Sequence, residues 1–186
     1  VPGELDLFNG KDLSGWRATD FGGRGEIVVR NNEIKIGMGA ELSGITWTNT
    51  ALLPKTNYEI ELDAMKLDGN DFFCGLTFPV NNSFCTLILG GWGGNVVGIS
   101  SLDGADASEN DTSQGLYFVK NRWYHVRVQV TPKKILAWVD DEKIVDVEIV
   151  GRKVAVRAGD IQQSIPLGIA TWQTSSALRS LKLKRL

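Results

Sequence analysis

The sequence predicts an all-β fold in which two antiparallel sheets pack against each other. Apolar and polar side chains alternate with a period of two along much of the chain, and no long 3.6-residue pattern is present. Turn signals separate the alternating stretches, and glycine is frequent, with 21 residues in 186. Many short strands at such spacing are typical of a β-sandwich.

The first recognisable element is the decapeptide 7–16, which predicts a turn that is held against the core at both ends. Its Asn9-Gly10 pair suits a turn with a positive φ. Its apolar anchors are Phe8, Leu13 and Trp16. We therefore expect this segment to lead the chain into its first strands.

Three later stretches alternate most clearly: residues 58–64, 124–130 and 181–184. Each predicts a strand with one buried face and one exposed face. Clusters of turn-forming residues separate the strands, at 31–32, 67–70, 79–82 and 131–134. This order of strands and turns leaves little room for helices.

Length and charge bound the domain organisation and the function classes. No linker, repeat or low-complexity tract interrupts the 186 residues, so we expect one domain over 1–186. A net charge of −2 without a basic block argues against nucleic acid as a partner. No apolar run approaches the roughly 20 residues that span a bilayer. Because the chain begins with Val1 rather than Met, we expect a removed leader or larger parent, and a secreted, periplasmic or cell-surface location.

Residues that usually carry nucleophilic or metal chemistry are few. His125 is the sole histidine, which excludes a catalytic triad and a multi-histidine metal centre. If residues 73–78 and 84–89 form a hairpin, Cys74 and Cys85 are diagonal neighbours, whose Cα separation of roughly 7–8 Å exceeds normal disulfide reach. Buried free thiols are the expectation; a disulfide and a metal or catalytic role are the alternatives.

The most unusual stretch is 87–98, where four glycines surround Trp92. Glycines let the backbone approach a ligand closely, and an indole is a flat platform for the apolar C–H face of a sugar. Asn95 is a candidate for binding the hydroxyl groups of a saccharide. The alternative is a tight hairpin whose tryptophan caps the edge of the core. Further candidates for saccharide contact, each with burial in the core as the alternative, are Trp47 and Trp172 with its neighbour Gln173.

An acidic loop follows at 103–111, with four carboxylates and an asparagine. Its candidate site residues are Asp103, Asp106, Glu109 and Asn110. Oxygen ligands at this density suit Ca²⁺, although alanines occupy two positions at which an EF-hand needs ligands. Three interpretations stay open: a solvated acidic loop, a loop that contacts a saccharide, and a Ca²⁺ site. No other cofactor is expected.

Two further sets of carboxylates are candidates for acid–base chemistry. Asp71 lies at the mouth of the apolar stretch 72–78, where it would either bind a ligand or cap a turn. Glu59, Glu61 and Asp63 follow each other at roughly 6.5–7 Å along one strand, which overlaps the spacing of paired glycosidase acids. Ordinary strands also expose Glu and Asp in this way, and this is the favoured interpretation, because nothing in the sequence marks this face as a cleft.

Several segments resemble the 3-keto-disaccharide hydrolase domain family. The opening decapeptide is similar to the start of that domain. Residues 122–128 and 135–141 resemble a hairpin that recurs in concanavalin A-like domains, and 165–170 with 177–183 resemble the closing strand pair. The resemblance implies a concanavalin A-like jelly-roll and an action on oxidised glycosides.

The chain departs from the family at two motifs. Typical members carry an Asn-Ser-Gly-type motif after the strand equivalent to 58–66, and later a strand with Glu and Asp flanking a Gln. This chain has Asn-Asp-Phe-Phe at 70–73 and Thr-Leu-Ile-Leu-Gly at 86–90. The resemblance therefore implies the fold and a saccharide-facing surface, and it assigns no catalytic residue.

These observations predict an exported domain that binds a glycoside or 3-keto-glycoside on its concave sheet. If the domain is hydrolytic, the acid–base candidates are Asp71, Asp106 and Glu109, because glycosidic cleavage needs positioned carboxyl groups. Two alternatives are a lectin-like module without catalysis and a sandwich that binds another protein. The sequence carries no signal for an oligomeric state.

Overall fold

The structure, a computed structural model, describes residues 3–186, which form two antiparallel sheets packed face to face. Val1, on which the expected removal of a leader rests, lies outside the described residues. With strands numbered in chain order, the eight-stranded sheet contains β1 (Glu4–Asp6), β3 (Ile27–Arg30), β4 (Glu33–Ile36), β6 (Tyr58–Gly69), β11 (Trp123–Val130), β12 (Lys134–Val139), β13 (Glu142–Glu148) and β15 (Thr174–Arg185).

The second sheet has seven strands, and most of the long loops connect it to the eight-stranded sheet. Its members are β2 (Trp16–Ala18), β5 (Leu42–Trp47), β7 (Cys74–Val80), β8 (Ser83–Gly91), β9 (Val96–Ser100), β10 (Gln114–Gly115) and β14 (Gly168–Trp172). Two short 3₁₀ helices cover Thr50–Leu52 and Asp160–Ser164. Over residues 3–186, no helix is long and apolar enough to cross a membrane.

The strand order confirms the predicted all-β jelly-roll sandwich. The eight-stranded sheet runs β13-β12-β11-β6-β15-β4-β3, with β1 paired to β15. The seven-stranded sheet runs β10-β9-β8-β7-β14-β5-β2, so that β14 lies between strands formed much earlier in the chain. Neighbours that are distant in sequence alternate with simple hairpins such as β7–β8, as in other Greek-key sandwiches.

The core lies between the sheets and follows the two-residue alternation of the strands. In β6 the inward side chains are Tyr58, Ile60, Leu62 and Ala64, all at most 2% exposed. The hydroxyl of Tyr58 donates to the carbonyl of Pro79 across the core, so the one polar atom of this buried ring is paired. Since burial of apolar area is the main stabilising term, this alternation fixes which face of each strand is free to bind a ligand.

The opening decapeptide behaves as its sequence predicts. Gly10 has a φ of +80°, and the side-chain oxygen of Asn9 accepts hydrogen bonds from the two backbone N–H groups that follow Gly10. The indole N–H of Trp16 donates to the carbonyl of Leu7 at 2.7 Å, and the ring is 6% exposed. The segment is a turn closed on itself and fixed to the core.

The two cysteines are buried and free. They are farther apart than the predicted diagonal neighbours, because the register of β7 and β8 places Cys74 opposite Leu89 and Cys85 opposite Phe78. The four-residue offset from Cys74 to Phe78 corresponds to about 13 Å along the strand, which is beyond the reach of a disulfide. Burial raises the pKa of the Cys74 thiol to about 12, so the neutral thiol persists at physiological pH.

The sandwich has two distinct ends. At one end Gly69 of β6 is opposite Thr174 of β15, and at the other end Tyr58 is opposite Arg185. We call these the Gly69 end and the Tyr58 end. The backbone N–H of Arg185 donates to the carbonyl of Gly3 at 2.8 Å, so the first and last described segments meet at the Tyr58 end.

Candidate functional site

A cleft of about 430 Å³ lies on the outer face of the seven-stranded sheet, where the strand alternation leaves side chains free of the core. In β8 the side chains of Cys85, Leu87 and Leu89 enter the core, and the intervening residues Thr86 and Ile88 face the cleft. Its lining residues are Glu41, Leu42, Asp71, Phe72, Thr86, Ile88, Trp92, Ser100, Arg157, Ala158, Asp160, Ile161 and Trp172. This size is typical of small-molecule sites.

Aromatic rings form part of the cleft wall at the Gly69 end. The backbone N–H of Trp172 donates to the carbonyl of Phe72 at 3.1 Å, which places these two aromatic residues on neighbouring segments of the sheet. Both pack against a small apolar cluster that is separate from the main core. Trp92 also lines the cleft, at the turn after β8, with a φ of +47° and 38% exposure.

Asp71 links the two walls of the cleft. Its carboxylate accepts the N–H of Phe72 at 2.9 Å and the N–H of Gly93 at 3.3 Å, while its own N–H donates to Thr174 Oγ1 at 3.1 Å. These hydrogen bonds agree with the predicted turn cap, and the side chain also lines the cleft, where ligand binding stays a prediction. The contact with Gly93 holds the Trp92 turn against the start of β7.

Charged residues from distant loops complete the rim. Glu41 comes from the loop before β5, and Asp160 from the first turn of the short 3₁₀ helix. Arg157 Nη1 lies 3.8 Å from Asp106 Oδ2, so Asp106 borders the cleft through the arginine. Sequence reasoning missed Glu41, Arg157 and Asp160, because no local pattern marks a residue that reaches the site from another loop.

Arg152 braces the acidic loop by binding both Asp103 and Asp111. Its Nε donates to Asp103 at 2.8 Å, and its two terminal nitrogens donate to Asp111 at 2.9 Å. The backbone N–H of Lys153 and the guanidinium of Arg152 lower the pKa of Asp103, and the guanidinium lowers that of Asp111. These two carboxylates are thus engaged in fixing the loop.

Other predicted residues of this loop serve its internal structure or lie off the cleft. Asn110 donates from its amide to the carbonyls of Ile99 at 2.6 Å and Ala105 at 3.0 Å. Glu109 is exposed and does not line the cleft. Among residues 3–186, no group of three or more His, Cys, Asp or Glu side chains is arranged to hold a metal ion.

The remaining saccharide-contact candidates divide between core and surface. Trp47 is not a platform: it is 6% exposed, its ring meets Trp16 edge-on at 5.1 Å, and its indole N–H donates to the carbonyl of Asn49. Gln173 lies at the bend after β14 and donates to the carbonyl of Ala40 at 3.2 Å, outside the cleft. Asn95 is exposed on the Trp92 turn but does not line the cleft.

The carboxylates of β6 lie on the opposite side of the molecule. Glu59, Glu61 and Asp63 occupy the outer face of the eight-stranded sheet, where they pair with basic side chains of β11 and β15. Their spacing therefore reflects a strand face stabilised by ion pairs, which was the alternative interpretation of this pattern.

Solved structures that share this architecture are found at low sequence identity. A carbohydrate-binding module, CBM66 from Bacillus subtilis, is 12% identical with a TM-score of 0.59, over 91% of this chain and 95% of that one. The Crh5 transglycosylase in complex with NAG is 9% identical with a TM-score of 0.67, over 98% of this chain and 84% of that one. SCLam, a non-specific endo-beta-1,3(4)-glucanase of family GH16, is 9% identical with a TM-score of 0.63, over 100% and 93%.

At these identities the likenesses show a common fold. No curated protein matches the chain by sequence. Residues 3–184, in contrast, match the family described as the 3-keto-alpha-glucoside-1,2-lyase-like domain. Since this match covers nearly the whole sequence, the chain belongs to the 3-keto-alpha-glucoside-1,2-lyase-like domain family.

Proposed function

We propose that this protein binds a saccharide in the cleft on the seven-stranded sheet. The observation that carries the proposal is the composition of the cleft: Trp92, Trp172 and Phe72 form apolar walls, and carboxylates, an arginine and hydroxyl groups surround them. A pyranose is complementary to such a lining, since its apolar C–H faces stack on aromatic rings and its hydroxyl groups form hydrogen bonds with charged or polar side chains.

The comparisons support a saccharide rather than another small molecule. The similar structures are described as a carbohydrate-binding module, a transglycosylase bound to NAG and a glucanase, and the family description names a glucoside. Export of the protein, expected from its sequence, accords with a ligand of this class and stays a prediction.

Trp92→Ala tests the binding proposal. A glycan array first identifies saccharides that the native protein retains, and titration calorimetry then measures their affinity for each variant. We expect the affinity to fall about ten-fold or more in Trp92→Ala, because the variant loses one stacking wall. The matched control is Trp138→Ala, which removes a half-buried tryptophan stacked under Arg127 on the opposite sheet. Equal losses in both variants would contradict a site at Trp92, and an empty array with a co-purifying protein would favour the protein-interaction alternative.

A second candidate function is cleavage of a 3-keto-α-glucoside, which the family description favours. A ketone at C3 acidifies the proton on C2. When a base removes that proton, the electron pair forms the C1–C2 double bond, the C1–O bond breaks, and the departing oxygen takes up a proton. Asp71 is our candidate base, because it lines the cleft and two backbone N–H groups orient its carboxylate.

The cleavage is tested by mass spectrometry of the alcohol released from 3-keto-α-glucosides and from their unoxidised parents. We expect release from the ketone alone, and a kcat/KM lowered about 100-fold in Asp71→Asn, since a positioned base contributes at least that factor. Asp146→Asn, which alters an exposed carboxylate of β13 on the other sheet, is the control. Binding without release of alcohol from either substrate would leave a lectin-like module and rule out the cleavage.

A further inference from the structure

Tyr117 is the most exposed large hydrophobic side chain of the described residues, at 79%. It lies between two inward residues: Leu116 packs against the core, and Phe118 is 1% exposed within it. Gln114 of β10 is opposite Val97, a buried core residue of β9. Tyr117 stands between these inward residues just after the end of β10, so its exposed side chain points away from the core.

The register places Tyr117 beside the turn that carries Trp92. Gly115 of β10 is opposite Val96 of β9, and the next N–H, that of Leu116, donates to the carbonyl of Asn95 at 2.9 Å. Tyr117 follows directly. Because β9 lies between β8 and β10, Trp92 and Tyr117 are separated by two strand spacings, about 10 Å.

Tyr117 extends a row of aromatic residues along the Gly69 end of the sheet. Trp172 ends β14, Phe72 precedes β7, Trp92 follows β8, and Tyr117 follows β10. These strands are ordered β14-β7-β8-β9-β10, so the row crosses four strand spacings, about 19 Å. The cleft contains the first three of these residues, and Tyr117 lies outside it.

We propose that Tyr117 is the outer platform of a glycan-binding surface that runs from the cleft across the Trp92 turn, and that the ligand is an oligosaccharide chain rather than a disaccharide. The inference rests on the proposed saccharide binding. A solvent-exposed tyrosine suits such a position, because its ring stacks on a sugar while its hydroxyl stays in water. Asn95 is exposed on the Trp92 turn and its carbonyl accepts the N–H of Leu116, next to Tyr117, so its amide is available to a sugar that bridges the two rings.

Binding of matched oligosaccharides tests the inference. Titration calorimetry would measure the affinity for laminaritetraose, cellotetraose and maltotetraose, and each value would be compared with the affinity for the disaccharide of the same linkage. For the series that binds, we expect Tyr117→Ala to lower the affinity for the tetrasaccharide about five- to ten-fold and to leave the affinity for the disaccharide unchanged. The reason is that only the longer chain reaches the outer platform. Tyr117→Phe, which keeps the ring, should retain most of the tetrasaccharide affinity.

Val150→Ala is the surface control, since Val150 is 70% exposed and follows Ile149, whose N–H donates to Lys133 at the Tyr58 end. Equal affinity for the two lengths, unchanged in Tyr117→Ala, would overturn the inference and leave the cleft as the whole site. Failure of both lengths of every series to bind would count against the proposed saccharide binding itself. An equal loss of affinity for the disaccharide and the tetrasaccharide in Tyr117→Ala would also overturn the inference about Tyr117, because the tyrosine would then act through the fold of the Trp92 turn.

Discussion

Gly15 has a backbone conformation and a neighbour that together exclude any side chain. Its φ is +87°, and a Cβ built on it would lie 2.6 Å from Cζ3 of Trp47. The ring of Trp47 cannot retreat, because it meets Trp16 edge-on and its indole N–H is bonded to Asn49. Because residue 15 is a glycine, Trp16 and Trp47 can pack against each other at the edge of the core.

Gly15→Ala should therefore destabilise the protein by about 2–4 kcal/mol in urea unfolding, because left-handed strain adds to overpacking against Trp47. Gly104→Ala separates the two effects. Gly104 has a φ of +80° with nothing within 4 Å of its Cβ position, so we expect only the conformational cost of about 1–2 kcal/mol. Equal losses in the two variants would show that the contact with Trp47 adds nothing.

At the scale of single residues, the same residue type has opposite fates that local sequence does not separate. Trp47 ends β5 and Trp92 directly follows β8, yet one is buried and the other lines the cleft. The glycines around Trp92 were the useful signal, since only they indicate a turn that leaves the strand. No comparable signal precedes Trp47, whose burial depends on β2, formed by residues far from it.

Among the elements, β6, β11 and β15 are joined on their outer faces by a network of charges. Asp63 of β6 accepts from Nδ1 of His125 at 2.9 Å and from Nε of Arg179 at 3.1 Å. Glu61 lies 3.1 Å from the other ring nitrogen of the histidine. The guanidinium of Arg179 in turn stacks 3.9 Å above Trp123. One carboxylate therefore links three neighbouring strands.

The network predicts a pH dependence of stability. Partial burial of His125 favours its neutral form, but the hydrogen bonds and charges of Asp63 and Glu61 outweigh it and raise the pKa of His125 above 6.5. Since the folded pKa exceeds the unfolded one, the stabilisation is complete below the unfolded pKa and is lost as pH rises through the folded value.

We expect the difference in free energy of unfolding between the native protein and His125→Gln to be larger at about pH 5.5 than at about pH 8.5. Urea unfolding at the two pH values measures it. Lys143→Gln, which removes an exposed ion-pair partner of Asp146, should give a constant difference, because the hydrogen bonds of Lys143 and Lys134 lower the pKa of Asp146 and keep this carboxylate ionised. A constant difference for His125→Gln as well would show that its ion pairs contribute nothing.

Among the elements, hairpins were predictable from sequence, and the pairings between distant strands were not. The turn at Asn31-Asn32 joins β3 and β4 with positive φ at both residues, as its composition predicts. The position of β14 between β5 and β7 has no local signal. That pairing brings Trp172 to Phe72, and the segment that precedes β14 brings Arg157 and Asp160 to the cleft, so this half of the site follows from topology alone.

Over the whole molecule, the two sheets present unlike outer faces. The eight-stranded sheet covers its outer face with ion pairs and with arginines stacked on tryptophans, as in the contact of Arg127 with Trp138 at 3.8 Å. The seven-stranded sheet instead leaves a cleft between its strands and loops. The cleft and the ion pairs that stabilise the fold thus lie on separate sheets. We therefore expect substitutions in the cleft loops to leave the charged network intact.

The meeting of the two terminal segments at the Tyr58 end has a practical consequence. Gly3 and Arg185 are hydrogen-bonded neighbours, and Trp92 and Tyr117 lie at the Gly69 end. A tag, an immobilising tether or a neighbouring domain attached through either segment would project from the pole farthest from the aromatic row. The molecule can therefore be anchored to a surface at one pole while the other pole, which carries the aromatic row, faces solution.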